Sequence, residues 1–184
     1  FYQNNHHYPE SLEVQLNAAL NNIEQRLAKG FGDPLNPLLL SVRSGAPTSM
    51  PGMMDTVLNL GLNDQTVQGL ITHSGDARFA YDCYRRFIQM YANVVKGVDN
   101  NIFEQLLADK KQAKKINNDN ELTAADLQQL VIEYKASYRK ILSYDFPDNP
   151  HQQLWEAISA VFGSWMNQRA VTYRKLNNIP SHWG

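Results

Sequence analysis

Residues 41–64 read SVRSGAPTSMPGMMDTVLNLGLND, and the rest of the chain is best read outward from them. The apolar run PLLLSV at 37–42 stops abruptly on Arg43. A loop with two glycines, two prolines and three hydroxyl residues follows, and a methionine doublet leads into a second apolar stretch. LLLSV is short, apolar and bounded by turn residues, so it reads as a buried strand, the only convincing one in the sequence. A strand that ends on arginine and runs into a glycine-bearing loop sets a fixed cation beside uncommitted backbone N–H groups. That pairing suits an anion, a polyphosphate above all. The plainer alternative is an arginine in a surface ion pair. Met50, Met53 and Met54 either fill core gaps or pack on a nucleotide base. No Walker A sequence, G-x-x-x-x-G-K-[ST], is present.

Helical patterns flank this unit. Upstream, Ser11 is a candidate N-cap for a helix in which Leu12, Leu16, Ala19, Leu20, Ile23 and Leu27 recur at helical spacing, with Gly30 as its stop. DPLNP at 33–37 is a turn. Downstream, Asp76 and Gly97 bracket a helix whose expected core face is Phe79, Cys83, Phe87, Met90, Tyr91 and Val94. Phe103, Leu106 and Leu107 mark a shorter helix, and the polar run DKKQAKKINNDNE is expected in solvent. Thr123 then opens a helix that buries Leu127, Leu130, Val131, Tyr134 and Tyr138. Beyond the proline-broken SYDFPDNPH, the last segment reads as two helices meeting near Gly163. The fold class is mainly α with a small β component.

Composition narrows the function. The 184 residues carry a net charge of −1, with 43% apolar and 19% charged side chains. That is a globular profile with no bulk basic surface for nucleic acid or anionic membrane. No apolar run approaches the about 20 residues of a membrane span. The one cysteine, Cys83, excludes an internal disulfide framework and a cysteine-cluster metal site, and it reads as buried. Because the chain starts at Phe1 without an initiator methionine, it is expected to be a piece of something longer.

The 41–64 stretch closely resembles the signature of the pyruvate, phosphate dikinase family, in its N-terminal ATP-grasp nucleotide-binding domain. FYQNN, RFAYDCYRRFIQMYANVV, LTAADLQQL and AVFGSWMNQRAVTYRKLNNIPSHWG resemble further blocks of that family in order. The resemblance implies an enzyme that interconverts ATP, pyruvate and phosphate with AMP, phosphoenolpyruvate and pyrophosphate. It further implies a requirement for Mg2+ and a swivelling phosphohistidine domain as the partner. Arg43 would contact the ATP phosphates, Gly45 and Gly52 would let the loop close, and Ser49 through Met54, including Met53, would form its return. Phosphoryl transfer asks mainly for positioning and charge neutralisation, which such an arginine and loop supply.

Other parts of the family pattern are not in this sequence. They are a glycine-rich stretch with an ATP-binding lysine, the acidic Mg2+ ligands, the phosphohistidine domain and the pyruvate barrel. No catalytic residue and no metal ligand is therefore assigned here, and turnover by this chain alone is not expected. The organisation implied is a partial ATP-grasp subdomain, residues 1–62 plus 149–184, with a helical insertion subdomain at 63–148. Deleting the insertion is expected to leave a folded remainder. Arg85 and Arg86, about 100° apart on a helix, are either both solvated or include one that faces the cleft or the docking carrier domain. His6, His7, His73, His151 and His182 read as structural or exposed. Asp55 and Asp64 read as turn or helix-terminal residues, while Arg169 and Arg174, with Trp165 and Tyr173, are expected to pack back on the strand–loop unit. The family implies a homo-oligomer in the cytoplasm, or in a plastid if the source is a plant. Two alternatives stay open: a non-catalytic helical interaction module of ATP-grasp ancestry, and another dikinase of the superfamily.

Overall fold

The computed structural model describes residues 7–183, so the FYQNN block and His6 lie outside the described residues. Among the described residues seven α-helices and one hairpin-like sheet follow in order: α1 Leu12–Leu27, β1 Leu40–Arg43, β2 Thr56–Leu60, α2 Thr66–Ser74, α3 Ala77–Lys96, α4 Asn100–Lys114, α5 Ala124–Leu142, α6 Pro150–Ser164 and α7 Gln168–Leu176. The expected class, mainly α with a small β part, is what the chain adopts.

The sheet holds a strand that sequence reading missed. TVLNL forms β2 and pairs antiparallel with β1, joining Leu40 to Leu60, Val42 to Val57 and Arg43 to Thr56. Two steps along β1 meet three along β2, so β2 carries a bulge. Asn59 absorbs it at φ 59°, a left-handed conformation that asparagine tolerates better than most residues. The bulge hides the two-residue alternation that would have marked a strand. β1 itself alternates between half-buried and exposed, a correction to the expected buried strand. Its inward Val42 and β2's fully buried Val57 and Leu60 face the helices.

Helix α3 organises those helices, packing on α5, α2, β2 and α6. Its core face is set by Ala80, Tyr84, Phe87, Ile88 and Tyr91, all with no exposed surface. Phe79, expected inside, is 47% exposed, and Cys83 is only half-buried. Phe146 is the hub of an aromatic cluster, edge-on to Phe87 at 5.6 Å, Tyr91 at 5.3 Å and Tyr138 at 5.4 Å. Such geometry adds to the burial of the rings.

The helix termini mostly follow the sequence. Asp76 caps α3 through Phe79 N–H, and Gly97 ends it at φ 70°. Thr123 and Asp126 form a reciprocal capping box on α5. α1 departs from expectation: Ser11 makes no side-chain cap, and Ala28, not Gly30, takes the left-handed terminal position at φ 51°. The polar run DKKQAKKINNDNE begins inside the last turns of α4, whose lysines are tied down by ion pairs, Lys110 to Glu133, Lys111 to Asp119 and Lys114 to Asp126.

The excursion from 63 to 148 closes on itself, since Asn63 Nδ2 donates to the Asp148 carbonyl at 2.8 Å. The apolar core nevertheless runs through that junction without a break. Val57 and Leu60 of β2 depend on α3 for cover, which bears directly on whether the remainder folds without 63–148. Among the described residues no helix is long and apolar enough to cross a membrane.

Candidate functional site

Arg43 stands exposed at the open end of β1. Among the described residues it takes no carboxylate partner. The other candidate arginines do: Arg85 and Arg86 pair with Asp82, and Arg169 with Asp55. The ion-pair alternative for Arg43 is thus not realised.

The loop beyond it makes few bonds of its own. Ala46 N–H donates to Ser44 Oγ at 3.2 Å, and Met53 N–H donates to the Met50 carbonyl at 3.1 Å. Among the described residues the N–H groups of Gly45, Thr48, Ser49 and Gly52 find no acceptor. Gly45 has open space where a Cβ would sit, and Gly52 turns the chain back at φ 72°. Met50 plugs the loop from below at 7% exposure.

Two adjoining cavities share Arg43 and the first loop residues. One, of about 500 Å³, is walled by the loop itself and includes Gly45, Ser49, Gly52 and Met54. The other, of about 400 Å³, runs from Arg43 and Met54 along an apolar wall of Ile158, Val161, Phe162 and Trp165 from α6 and its end. A charged, donor-rich half therefore abuts an apolar half, an arrangement suited to an amphiphilic anion. Met53, alone of the predicted loop residues, lines neither cavity.

Met53 belongs instead to the loop's fixed root. Its carbonyl accepts from Arg169 Nε at 3.1 Å, and Arg169 Nη2 also donates to Asp55. Asn167 Nδ2 donates to the second Asp55 carboxylate oxygen at 3.0 Å, and Asp55 N–H donates to Ser164 Oγ at 3.1 Å. Ser164 in turn donates to the Val161 carbonyl at 2.7 Å. The expected packing on the strand–loop unit is thus seen for Arg169, whereas the parts of Ser164 and Asn167 were not anticipated. Arg174 lies 4.0 Å over the Trp165 ring, buried, which shapes the same corner.

Arg85 and Arg86 sit elsewhere. Arg85 is buried and grips Asp82 Oδ1 through Nη2 at 2.6 Å and Nε at 3.0 Å. Burial is the largest single influence and works against its charge, but the Asp82 hydrogen bond, the Asp82 charge and Tyr134 together outweigh it and hold its pKa above the ordinary value. Arg86 is exposed and donates to the other Asp82 oxygen at 2.9 Å. They line a groove with Gln89, Asn100, Glu104 and Asp119 that shares no residue with the Arg43 cavities. Asp64 accepts from Tyr84 and Lys135. His73 contacts the Leu35 carbonyl, and His151 packs on Phe31. No group of three or more His, Cys, Asp or Glu suited to a metal occurs among the described residues.

With this geometry in hand, the comparisons with known proteins are specific. Residues 5–183 match the family described as pyruvate phosphate dikinase, AMP/ATP-binding domain. A pyruvate, phosphate dikinase of Rhizobium meliloti (strain 1021) is 54% identical over 176 residues, covering 96% of this chain and 20% of that protein. One from Clostridium symbiosum is 46% identical over 185 residues, covering 100% of this chain and 21% of the relative. A chloroplastic one from Mesembryanthemum crystallinum is 54% identical over 160 residues, with 87% and 17% covered. The chain spans about a fifth of the length of these relatives. Matched along nearly all of its own length, it belongs to the pyruvate phosphate dikinase AMP/ATP-binding domain family.

Proposed function

We propose that this chain supplies the phosphate-contacting part of the ATP site of a pyruvate, phosphate dikinase, with Arg43 and the 44–54 loop meeting the phosphates. The observation that carries this reading is an exposed arginine without an acid partner, set at the mouth of a loop whose N–H groups are uncommitted. Charge-assisted bonds from guanidinium and backbone to phosphate are the strong kind. The apolar wall on α6 takes the less polar portion of the nucleotide, with Met54 between the two halves. A family match to an AMP/ATP-binding domain does not favour the interaction-module alternative.

In the parent enzyme this site serves the conversion of ATP, pyruvate and phosphate to AMP, phosphoenolpyruvate and pyrophosphate through the phosphohistidine domain. Mg2+ would neutralise phosphate charge there. The described residues do not fit a metal site, because Asp55, the carboxylate at the loop's root, is already held by Arg169 and Asn167. Its ligands are therefore proposed to come from outside this chain. Arg86, exposed where Arg85 is enclosed, is the arginine of the pair proposed to meet the docking carrier domain. A homo-oligomeric parent in the cytoplasm or a plastid, and the division into 1–62 plus 149–184 and 63–148, belong to the same proposal. The closed junction at Asn63 and Asp148 supports that division as the path of the chain, while the shared apolar core is expected to make the two parts fold together.

Each charge-assisted bond from Arg43 is worth about 1.5–3 kcal/mol in a well-formed site, but here phosphate stays largely in water and the attraction is screened. ATP titrated calorimetrically into the 184-residue chain should bind no tighter than roughly millimolar, with Arg43→Ala nearly silent. When this chain replaces the matching segment of the Rhizobium relative, Arg43→Ala should abolish most turnover. Wild-type turnover by that variant would end the reading.

A further inference from the structure

The loop that carries the proposed phosphate contacts is bare along its length but bolted at one end. At that end four bonds converge on Met53 and Asp55: both Asp55 oxygens, its N–H and the Met53 carbonyl are engaged. The partners, Ser164, Asn167 and Arg169, come from the corner where α6 ends and α7 begins. Asp55 is mostly enclosed, at 18% side-chain exposure, and Ser164 is buried at 1%. Nothing comparable holds the first half of the loop.

The position of the bolt matters more than its strength. Thr56, the next residue, is the cross-strand partner of Arg43. Among the described residues the sheet has two strands, and a two-stranded ribbon is marginal by itself. Its open end, with Arg43 on one side and the loop root on the other, has no third strand among the described residues to hold its register. From this we infer that Asp55 and Arg169 are positioning residues for the phosphate loop. By clamping its root to the α6–α7 corner they fix the Arg43–Thr56 pair, and so the guanidinium, relative to the apolar wall on α6. This rests on the phosphate reading of the loop, but the clamp itself is measurable without any nucleotide.

Arg169 holds its two acceptors with a planar fork, which lysine cannot reproduce. The contact is part-exposed, so its Coulombic share is screened and its value is geometric. Loss of the clamp is therefore expected to loosen the loop root and the end of β2 and leave the helices as they were.

The test uses the 184-residue chain with Asp55→Asn, Arg169→Gln, the two combined, and the milder Arg169→Lys. Amide hydrogen exchange should accelerate about tenfold or more at Met53–Thr56 in each single variant, with α3 and α5 unchanged. The double variant should accelerate exchange by less than the product of the two singles, because the Arg169–Asp55 bond is lost in both. Inorganic tripolyphosphate should shift the Arg43 and Gly45 amides with roughly millimolar affinity. Without the clamp those shifts at saturation should shrink about twofold or more while the weak, screened affinity changes little, and Arg169→Lys should fall between. Unchanged exchange at 53–56 in Arg169→Gln and Arg169→Lys overturns the clamp. Exchange that accelerates while the saturating tripolyphosphate shifts of Arg43 and Gly45 hold overturns its positioning role. A wild-type chain whose Arg43 and Gly45 amides ignore tripolyphosphate overturns the phosphate reading instead, and the positioning role falls with it.

Discussion

Gln153 offers the sharpest test of how this fold is held. It sits on α6 with no exposed surface and makes three bonds to backbone groups on two connections. Its Nε2 donates to the Leu62 carbonyl at 2.9 Å and the Pro147 carbonyl at 2.7 Å, and its Oε1 accepts from Gly61 N–H at 2.9 Å. Those connections are where the chain leaves β2 and where it re-enters α6. Replacing Gln153 by leucine fills the space but strands three buried polar groups, each costing about 1–3 kcal/mol. The sum, about 3–9 kcal/mol, approaches the whole stability of a typical domain, about 5–15 kcal/mol. Alanine removes more atoms, yet it opens a polar space in which a water, needing about 30 Å³, can re-pair two or three of those groups. Gln153→Ala should therefore cost less than Gln153→Leu, by about 1 kcal/mol or more per group rescued. Urea unfolding followed by circular dichroism measures both, with m unchanged if the native states are equally compact. A leucine variant as stable as the alanine variant, or as the wild type, would show that these bonds are not what fixes the junction.

Deleting residues 63–148 behind a short linker uncovers Val57 and Leu60, so the remainder is expected to lose its cooperative thermal transition. A sharp transition would establish separable subdomains. The Lys114 and Thr123 hydrogen bonds hold the Asp126 carboxyl down to about 2, against 3.8 ordinarily. A lowered native pKa means the cap contributes fully above the unfolded value and fades as pH falls from about 4 to about 2. Over that range the thermal midpoint of the wild type should converge on that of Asp126→Asn. Ala28→Gly removes the strain of φ 51° at the end of α1 and should stabilise by about 0.5–1 kcal/mol. A lower midpoint for that variant in calorimetry would mean that glycine's extra unfolded-state freedom outweighs the strain.

Local chemistry is what the sequence made legible. Asp76, Gly97 and the Thr123–Asp126 box could be read because a cap and its target lie within four residues. The α5 face could be read because its five apolar positions keep one period. α3 was harder, for it carries aromatic or apolar residues on more than one side, and the phase chosen placed Phe79 inside and overlooked Tyr84 and Ile88. A signal for Arg85 and Arg86 was nevertheless present. Asp82 stands three residues before one and four before the other, the spacing of helical ion pairs, and it engages both. The loop root carries no local signal, since its partners lie 109 to 116 residues away, and the family resemblance pointed to the Arg169 block without its bonds. Only the fold brings them together.

That long-range clamp also accounts for why Arg43 has no acid partner. Asp55 adjoins Thr56, the residue directly across the ribbon from Arg43, and lines the same cavity as Arg43. Left alone, it would be drawn to the guanidinium and compete with phosphate for it. Arg169 and Asn167 occupy both of its oxygens, and Ser164 holds its backbone. The charge balance at the loop is then set by which arginine the aspartate takes. Arg169 takes it with a two-point grip that includes the Met53 carbonyl, and Arg43 keeps its donors for an incoming anion.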